Sequence, residues 1–408
     1  MHEYRLWPKL RSRTDKIGSG VTPKGGEDAY TATGIPLVRS QNVKSGRLDL
    51  TDVAHISAKQ HDIMQSSALR PNDVLLNITG ASIGRSCVVP PHLVAGNVNQ
   101  HVCIIRLSRG DDPHFVSQFL NSHHGQKQIW MCQGGGSREG LNYEQIGDLH
   151  FPPIEAPEQQ RIAEILRTWD KAIEKTERLI EAKEKTFEYL ALSLLTGHRR
   201  LGNNRSKWRG VSLTDVTMEL SARNGGRLGN DSVMGVSKFE GMIPMKDHVR
   251  AADISRYKIV TPSAFAYNPM RLNIGSIAKN EHGRDVLVSP DYVAFSANDG
   301  ALDTGFFDHM RRTRLWSRFV ESAGSGGVRV RIYYDDLADF GFDLPPIDEQ
   351  RQIAGVLDTA RREITLLKSQ RDARDKQKRG LMQKLLTGEW RVNVSPPSAK
   401  PAKSRAPA

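Results

Sequence analysis

A stretch of 43 residues is written twice in this chain, and that duplication limits the possible folds more than any other feature. Residues 158–200 align without a gap against residues 349–391, at a shift of 191 and with fifteen identities. Glu158-Gln159 recurs as Glu349-Gln350, Ile162-Ala163 as Ile353-Ala354, and Leu194-Leu195-Thr196-Gly197 as Leu385-Leu386-Thr387-Gly388. Just upstream, Pro152-Pro153-Ile154 returns as Pro345-Pro346-Ile347, two residues out of that register. The same shift carries Ile83-Gly84 onto Ile274-Gly275, Phe115 onto Phe306, Gly135-Gly136 onto Gly326-Gly327, and Tyr143 onto Tyr334. The unlike parts of the two halves therefore share a frame, and the 408 residues read as two related units.

Within each repeat the apolar residues fall at helical spacing. In the first copy these are Ile162, Ile165, Leu166, Trp169, Ile173, Leu179, Ile180, Phe187, Leu190 and Leu194. Prolines before the run and Gly197 after it supply a start and a stop. In the second copy Ile353, Val356, Leu357, Ile364, Leu367, Leu381 and Leu385 repeat the ends, whereas the middle, Lys368 to Arg379, is polar. A long helix with one apolar stripe needs a partner, and the nearest complementary stripe is its own repeat. The spacing therefore predicts an antiparallel coiled coil whose seam uses Ile162, Trp169, Ile173, Ile180, Phe187, Leu190, Ile353, Leu357, Ile364, Leu367 and Leu381, related by a pseudo-two-fold axis. Between the helices lie short apolar runs broken by Gly, Pro and Asn, such as Asp73–Ile78, Val102–Leu107, Val286–Val288 and Tyr292–Phe295. The fold class is accordingly α/β (α+β): strand-rich domains over 1–150 and 201–343, helical spacers over 151–200 and 344–392, and a flexible basic tail over 393–408.

The net charge of +12 points to an acidic partner. It is unevenly placed: residues 1–150 carry +3, 151–200 are neutral, 201–344 carry +2, and 345–408 carry +7. No run approaches the length of a spanning apolar helix, and Met1 to Lys16 lacks the apolar core of a secretion signal, so a cytoplasmic location is expected. Cys87, Cys103 and Cys132 form no CxxC pair, which points away from a zinc site or a disulfide framework.

Catalytic signatures are missing. The chain has no Gly-Lys dipeptide, hence no phosphate loop of the Walker type. Gly18-Ser19-Gly20 runs into Val21-Thr22-Pro23, which breaks a dinucleotide-binding pattern. Asn268-Pro269-Met270 lacks the second proline and the aromatic residue of an amino-methyltransferase motif. The histidines lack metal-ligand spacing.

Two unlike domains, each followed by Pro-Pro-Ile, Glu-Gln, a long helix and Leu-Leu-Thr-Gly, resemble the specificity subunit of type I restriction-modification systems. The resemblance spans nearly the whole chain and includes Gly20-Val21-Thr22-Pro23, Asp73-Val74-Leu75-Leu76 leading to Gly80-Ala81-Ser82-Ile83-Gly84, and Gly136-Ser137 before Leu141. It implies that the two domains are target recognition domains, each reading half of a bipartite sequence in double-stranded DNA. It further implies that the helices set the spacing and dock two copies of a modification (methyltransferase) subunit holding S-adenosylmethionine, and that motor-nuclease restriction subunits complete the complex. No catalysis, cofactor or metal would then reside in this chain. The second half carries no Gly-Val-Thr-Pro copy; Asn224-Gly225-Gly226 stands nearest. Two other classes stand beside this reading: a DNA-modifying enzyme with an unrecognised active site, and a helical adaptor that binds only proteins.

Base edges are read chiefly by Arg, Asn and Gln, while Lys, Ser and Thr hold phosphates. Candidate DNA-binding residues in loops of the first domain are Lys24, Arg39, Gln41, Asn42, Asn77, Thr79, Ser82, Arg85, Asn99, Gln100 and Arg138. In the second they are Arg223, Arg227, Asn268, Arg271, Asn273, Arg329 and Arg331. Arg311, Arg312, Arg314 and Arg318 read as a helical cluster facing solvent or a partner. Glu158-Gln159 and Glu349-Gln350 are expected to meet the modification subunits.

Overall fold

The computed structural model describes residues 6–23, 29–108, 110–133, 140–202, 206–238, 240–245, 253–323 and 331–394. The chain divides into two units, one made of residues 1–178 and 369–408, the other of residues 179–368. Lys24, Arg138, Arg329 and residues 395–408 of the tail lie outside the described residues.

In the first unit, β1 (Thr14–Ser19), β2 (Val74–Asn77), β3 (Ser86–Val88) and β4 (Val102–Leu107) form an antiparallel sheet in the order β1-β4-β2-β3. Helices α1 (Pro113–Asn121) and α2 (His123–Gln133) follow, then the long helix α3 (Ala156–Leu195). Alternation sorts the strand side chains onto two faces. Val74, Leu76, Cys103 and Ile105 pack with Phe115, Phe119 and Phe151 on one side, and Leu75, Cys87, Val102 and Ile104 pack with Val38, Val43 and Val98 on the other. A sheet covered on both faces needs unbroken apolar strands, hence the runs seen in the sequence. Cys87 and Cys103 are core filler: burial pushes both thiols up to about 12, and all three cysteines are free.

The second unit repeats this plan. Its sheet, β5 (Thr217–Glu219), β6 (Phe265–Tyr267), β7 (Ile277–Lys279) and β8 (Val293–Ala297), runs in the order β5-β8-β6-β7 and is again antiparallel. Val74 stands opposite Val88 in the first sheet, and Phe265 opposite Lys279 in the second, the same register 191 residues on. Helices α4 (Thr304–Met310) and α5 (Arg314–Ala323) occupy the places of α1 and α2, and the last long helix is α6 (Ile347–Leu385). Phe265, Phe295, Phe306, Phe307, Trp316 and Phe340 fill the helix side of the sheet.

Each long helix contributes one segment to each unit. Pro157 sits in the first turn of α3, where its missing N–H costs nothing. Both α3 and α6 end on a left-handed glycine, Gly197 and Gly388, each at φ +74°, whose N–H returns to Leu194 and Leu385. In the first unit the two segments pair antiparallel: Lys378 bonds Asp170 at 2.6 Å and Arg374 bonds Thr176 at 2.5 Å. Antiparallel pairing holds in the second unit as well, with Lys368 on Glu184 at 2.6 Å and the Arg361 guanidinium 5.6 Å from the Phe187 ring centre.

The predicted apolar seam needs correction in its middle. Ile162 lies in the core of the first domain, with Leu381 packed against it, while Ile353 and Leu357 lie in that of the second, with Phe187 and Leu190 packed against it. Ile180 and Ile364 are buried, but Trp169, Ile173 and Leu367 are only half-buried. Polar residues such as Lys368, Arg374 and Lys378 of the second repeat reach carboxylates and a threonine of α3, so the helices are plugged into the domains at their ends and held ionically between.

The repeated Glu-Gln dipeptide has a structural task in each unit. Gln159 accepts from the Asp112 N–H at 2.9 Å and donates to the Ile154 carbonyl at 2.7 Å; Gln350 accepts from Asp303 N–H at 2.7 Å and donates to Pro345 at 2.8 Å and Ala301 at 3.0 Å. Asp112 and Asp303 in turn cap α1 and α4. Glu158 receives Arg391, with contacts at 2.6 to 3.0 Å, and Glu349 receives Arg200 at 2.6 and 2.7 Å. All four residues are buried, so these ends are closed within the chain and the expectation that they meet partner subunits is overturned. Replacing Gln350 by leucine strands one buried N–H and two carbonyls; urea unfolding is expected to show a loss of about 2–4 kcal/mol.

Candidate nucleic-acid interface

Both sheets end in a turn at corresponding places, residues 78–85 between β2 and β3 and residues 268–276 between β6 and β7. A returning strand-like segment lies against each: Leu141 N–H donates to the Ile78 carbonyl at 2.9 Å, and Ile332 N–H to the Pro269 carbonyl at 3.2 Å, again 191 residues apart. The frame thus delivers two equivalent loop clusters on rigid sheets, the arrangement in which binding residues are placed precisely while their identity stays free.

In the first domain a chain of polar contacts fixes the surface beside the turn. Gln100 is exposed; its carbonyl accepts from the Thr22 hydroxyl, and its amide nitrogen meets His101 Nε2 at 3.1 Å. His101 Nδ1 lies 2.6 Å from the Thr79 hydroxyl. The Gln100 amide therefore keeps one N–H and one lone pair for a ligand, in an orientation already set. His101 was not among the sequence candidates, because a lone histidine in a turn carries no periodic signal. Arg85 is exposed, with no side-chain partner among the described residues; Gln41, also exposed, touches Asp52 at 3.4 Å; Ser82 and Thr79 are half-buried. Arg39 is half-buried, and its Nε is enclosed without a hydrogen bond.

Three candidates belong to the fold instead. Asn42 donates to the Asp49 and Asp52 carbonyls and accepts from Arg39 N–H. Asn77 donates to the Ser40 carbonyl at 2.9 Å and to Ser82 at 3.0 Å, and Asn99 accepts from His101 N–H at 3.1 Å. They are 2%, 0% and 9% exposed, so their amides close turns and cannot reach bases in this conformation.

In the second domain, Arg227, Arg271 and Asn273 are exposed and have no side-chain partner among the described residues. Arg223 donates to the Arg256 carbonyl at 2.9 Å and Arg331 to the Tyr333 hydroxyl at 3.3 Å, both from exposed positions. Asn268 is half-buried and accepts from Met270 N–H at 2.9 Å. Arg311 departs from the solvent-facing cluster: it is buried against Asp308, while Arg314 and Arg318 are exposed. The equivalent turns differ sharply. Gly80, Ala81 and Ser82 occupy the first, and Arg271, Leu272 and Asn273 the second.

Among the described residues, no cluster of three or more His, Cys, Asp or Glu could hold a metal ion. No described helix is long and apolar enough to cross a membrane.

No protein-family model matches the chain. It is 22% identical to a protein of Methanocaldococcus jannaschii described as "Putative type I restriction enzyme MjaX specificity subunit", over 95% of this chain and 93% of that protein. Its fold is similar to the crystal structure of a type I restriction-modification S subunit from M. genitalium, with a TM-score of 0.60, 14% identity, and 93% of this chain and 95% of that one covered. A chain from a solved type I restriction-modification system, studied for complex assembly and conformational transition, gives a TM-score of 0.51 at 17% identity, covering 94% of this chain and 98% of that one. The duplicated frame of domain and helix, followed over nearly its whole length by these relatives, makes this chain similar to the specificity subunits of type I restriction-modification systems.

Proposed function

We propose that the chain is the DNA-specificity subunit of a type I restriction-modification complex, in which each domain reads one half of a bipartite target. The observation that carries this reading is one scaffold built twice with unlike side chains at the same two turns. Two copies of a single frame suit two readings of similar geometry, and the unlike turns suit two different sequences. A polar turn on a rigid sheet offers donors and acceptors at fixed places, as base reading requires.

The long helices supply the second half of the proposal. Each helix gives one segment to each domain, as a spacer between two half-sites would. Their repeated character fits two modification subunits, one per copy of the repeat. Methyl transfer from S-adenosylmethionine belongs to those partners, DNA cleavage to added restriction subunits, and this chain contributes position and sequence choice.

The test is DNA binding by the complex of this chain with a modification subunit across a salt series. Binding to the cognate duplex is expected to exceed binding to unrelated DNA by on the order of 10³-fold or more, and both are expected to weaken as salt rises. Equal affinity for all sequences would overturn the proposal. Within this test Gln100→Ala is expected to relax one base position by about 1–3 kcal/mol. His101→Phe, which frees the Gln100 amide, is expected to weaken the same position, and an unchanged preference in both variants would remove the Gln100 cluster from the interface.

A further inference from the structure

The turn at 268–276 carries side chains that its own fold does not use. Leu272, 1% exposed, anchors it to the core. Backbone N–H groups then fix its path, among them Met270 to Asn268 Oδ1 at 2.9 Å, Arg271 to the Asn268 carbonyl at 2.9 Å, Gly275 to Leu272 at 2.9 Å, and Ser276 to Arg271 at 3.1 Å. Gly275 holds φ +87°, which a side-chain-bearing residue would resist. Around this fixed anchor Met270 is 46% and Ile274 57% exposed. Arg271 and Asn273, also exposed, alternate with them and have no side-chain partner among the described residues.

Turns are ordinarily built from small polar residues. At the same frame positions the first domain has Thr79, Gly80, Ala81, Ser82 and Ile83: the isoleucine is common to both turns but half-buried in the first, and Thr79 stands where the second has Met270. The shared scaffold therefore demands neither an apolar residue in the place of Met270 nor an isoleucine as exposed as Ile274. A rigid turn showing a guanidinium and a carboxamide between two apolar groups matches one surface closely, the major-groove edge of duplex DNA. Guanine offers two acceptors there, adenine a donor beside an acceptor, and thymine a methyl group. The minor groove offers no methyl group and a poorer code.

Resting on the DNA-specificity reading above, we propose that Met270–Ile274 is the base-reading element of the second domain. Arg271 donates two N–H groups to N7 and O6 of a guanine, Asn273 pairs with N6 and N7 of an adenine, and Met270 and Ile274 cover thymine methyl groups. Because the turn is already fixed, little ordering cost is left to binding.

The experiment uses the full chain in complex with a modification subunit and a panel of duplexes with single-base changes in both half-sites. Arg271→Ala is expected to lose roughly ten- to hundred-fold discrimination at one guanine position and Asn273→Ala a similar factor at one adenine position, with the other half-site untouched. The double change Met270→Ser and Ile274→Ser is expected to lower preference for thymine over uracil, which lacks the methyl group. All three variants replace exposed residues, and an unchanged melting temperature checks that they fold. Wild-type selectivity at every position in all three variants would overturn the proposal, as would loss of the modification subunit from the Met270/Ile274 variant with the target preference intact. A wild-type complex with no sequence preference would instead sink the underlying reading.

Discussion

Replacing Asp308 by alanine is expected to destabilise the second unit by about 3–5 kcal/mol. Asp308 lies at the end of α4 with its side chain 8% exposed, and three guanidinium groups share it: Arg311, whose Nε is at 2.9 Å, Arg312 at 3.1 Å and Arg361 at 3.5 Å. Burial pushes the carboxyl pKa up, but Arg311 and Arg312 outweigh that and hold it below the ordinary carboxylate range. Without the carboxylate, Arg311, itself 7% exposed, keeps among the described residues only the Ile277 carbonyl at 2.9 Å, and its charge is left buried beside two like charges. Urea unfolding followed through Trp316, which lies in the same core, measures the loss. Arg318→Ala on the exposed face of α5 is the control and is expected to change stability by less than about 0.5 kcal/mol. Because the folded-state pKa is depressed, this contribution is present above the ordinary value of 3.8 and is lost as pH falls through the lower folded value. The wild-type second unit therefore weakens in acid by losing a contribution that Asp308→Ala never had. Equal stability of variant and wild type at neutral pH would contradict the assignment.

Exchange of residues 201–343 for the corresponding domain of a relative with another target is expected to replace one half of the recognised sequence entirely and leave the other half and the gap unchanged. The expectation follows from the repeated frame: the exchanged domain meets the helices through a core that includes Ala191, Leu194 and Leu195 of α3 and Ile353, Ala354 and Leu357 of α6. An incoming domain must supply the equivalents of Phe306 and Phe307 to fill that contact, since a cavity there costs about 3–5 kcal/mol. Selection from a random duplex pool by the assembled complex reads the outcome. Change in both halves, or in the gap, would mean that the domains do not read independently.

The sequence displayed the frame well and the surface poorly. Repetition at a shift of 191 announced two equivalent units, and the structure places corresponding strands, caps and glutamine staples at that shift. Helical spacing exposed α3 and α6, because an apolar stripe kept in step over 40 residues is what a long helix packed along one side requires. The ionic middle of the helix pairing escaped the pattern, since Lys378 meeting Asp170 depends on a partner 208 residues away. The same limit misplaced the Glu-Gln ends and Arg311: polar residue types suggested partners outside the chain, whereas their partners are Arg391, Arg200 and Asp308 within it. Asn42, Asn77 and Asn99 show that a carboxamide in a loop serves the turn as readily as a base. Met270 and Ile274 carry no signal as sequence, because apolar residues predict burial until the fold shows them exposed.

Whether one chain reads two separated half-sites is decided by co-expressing it with a modification subunit and mapping methylated adenines across the host genome by single-molecule sequencing. The expected result is a motif in two defined parts with a fixed, sequence-indifferent gap. A single undivided motif, or methylation without sequence preference, would show that the two domains do not act as paired readers.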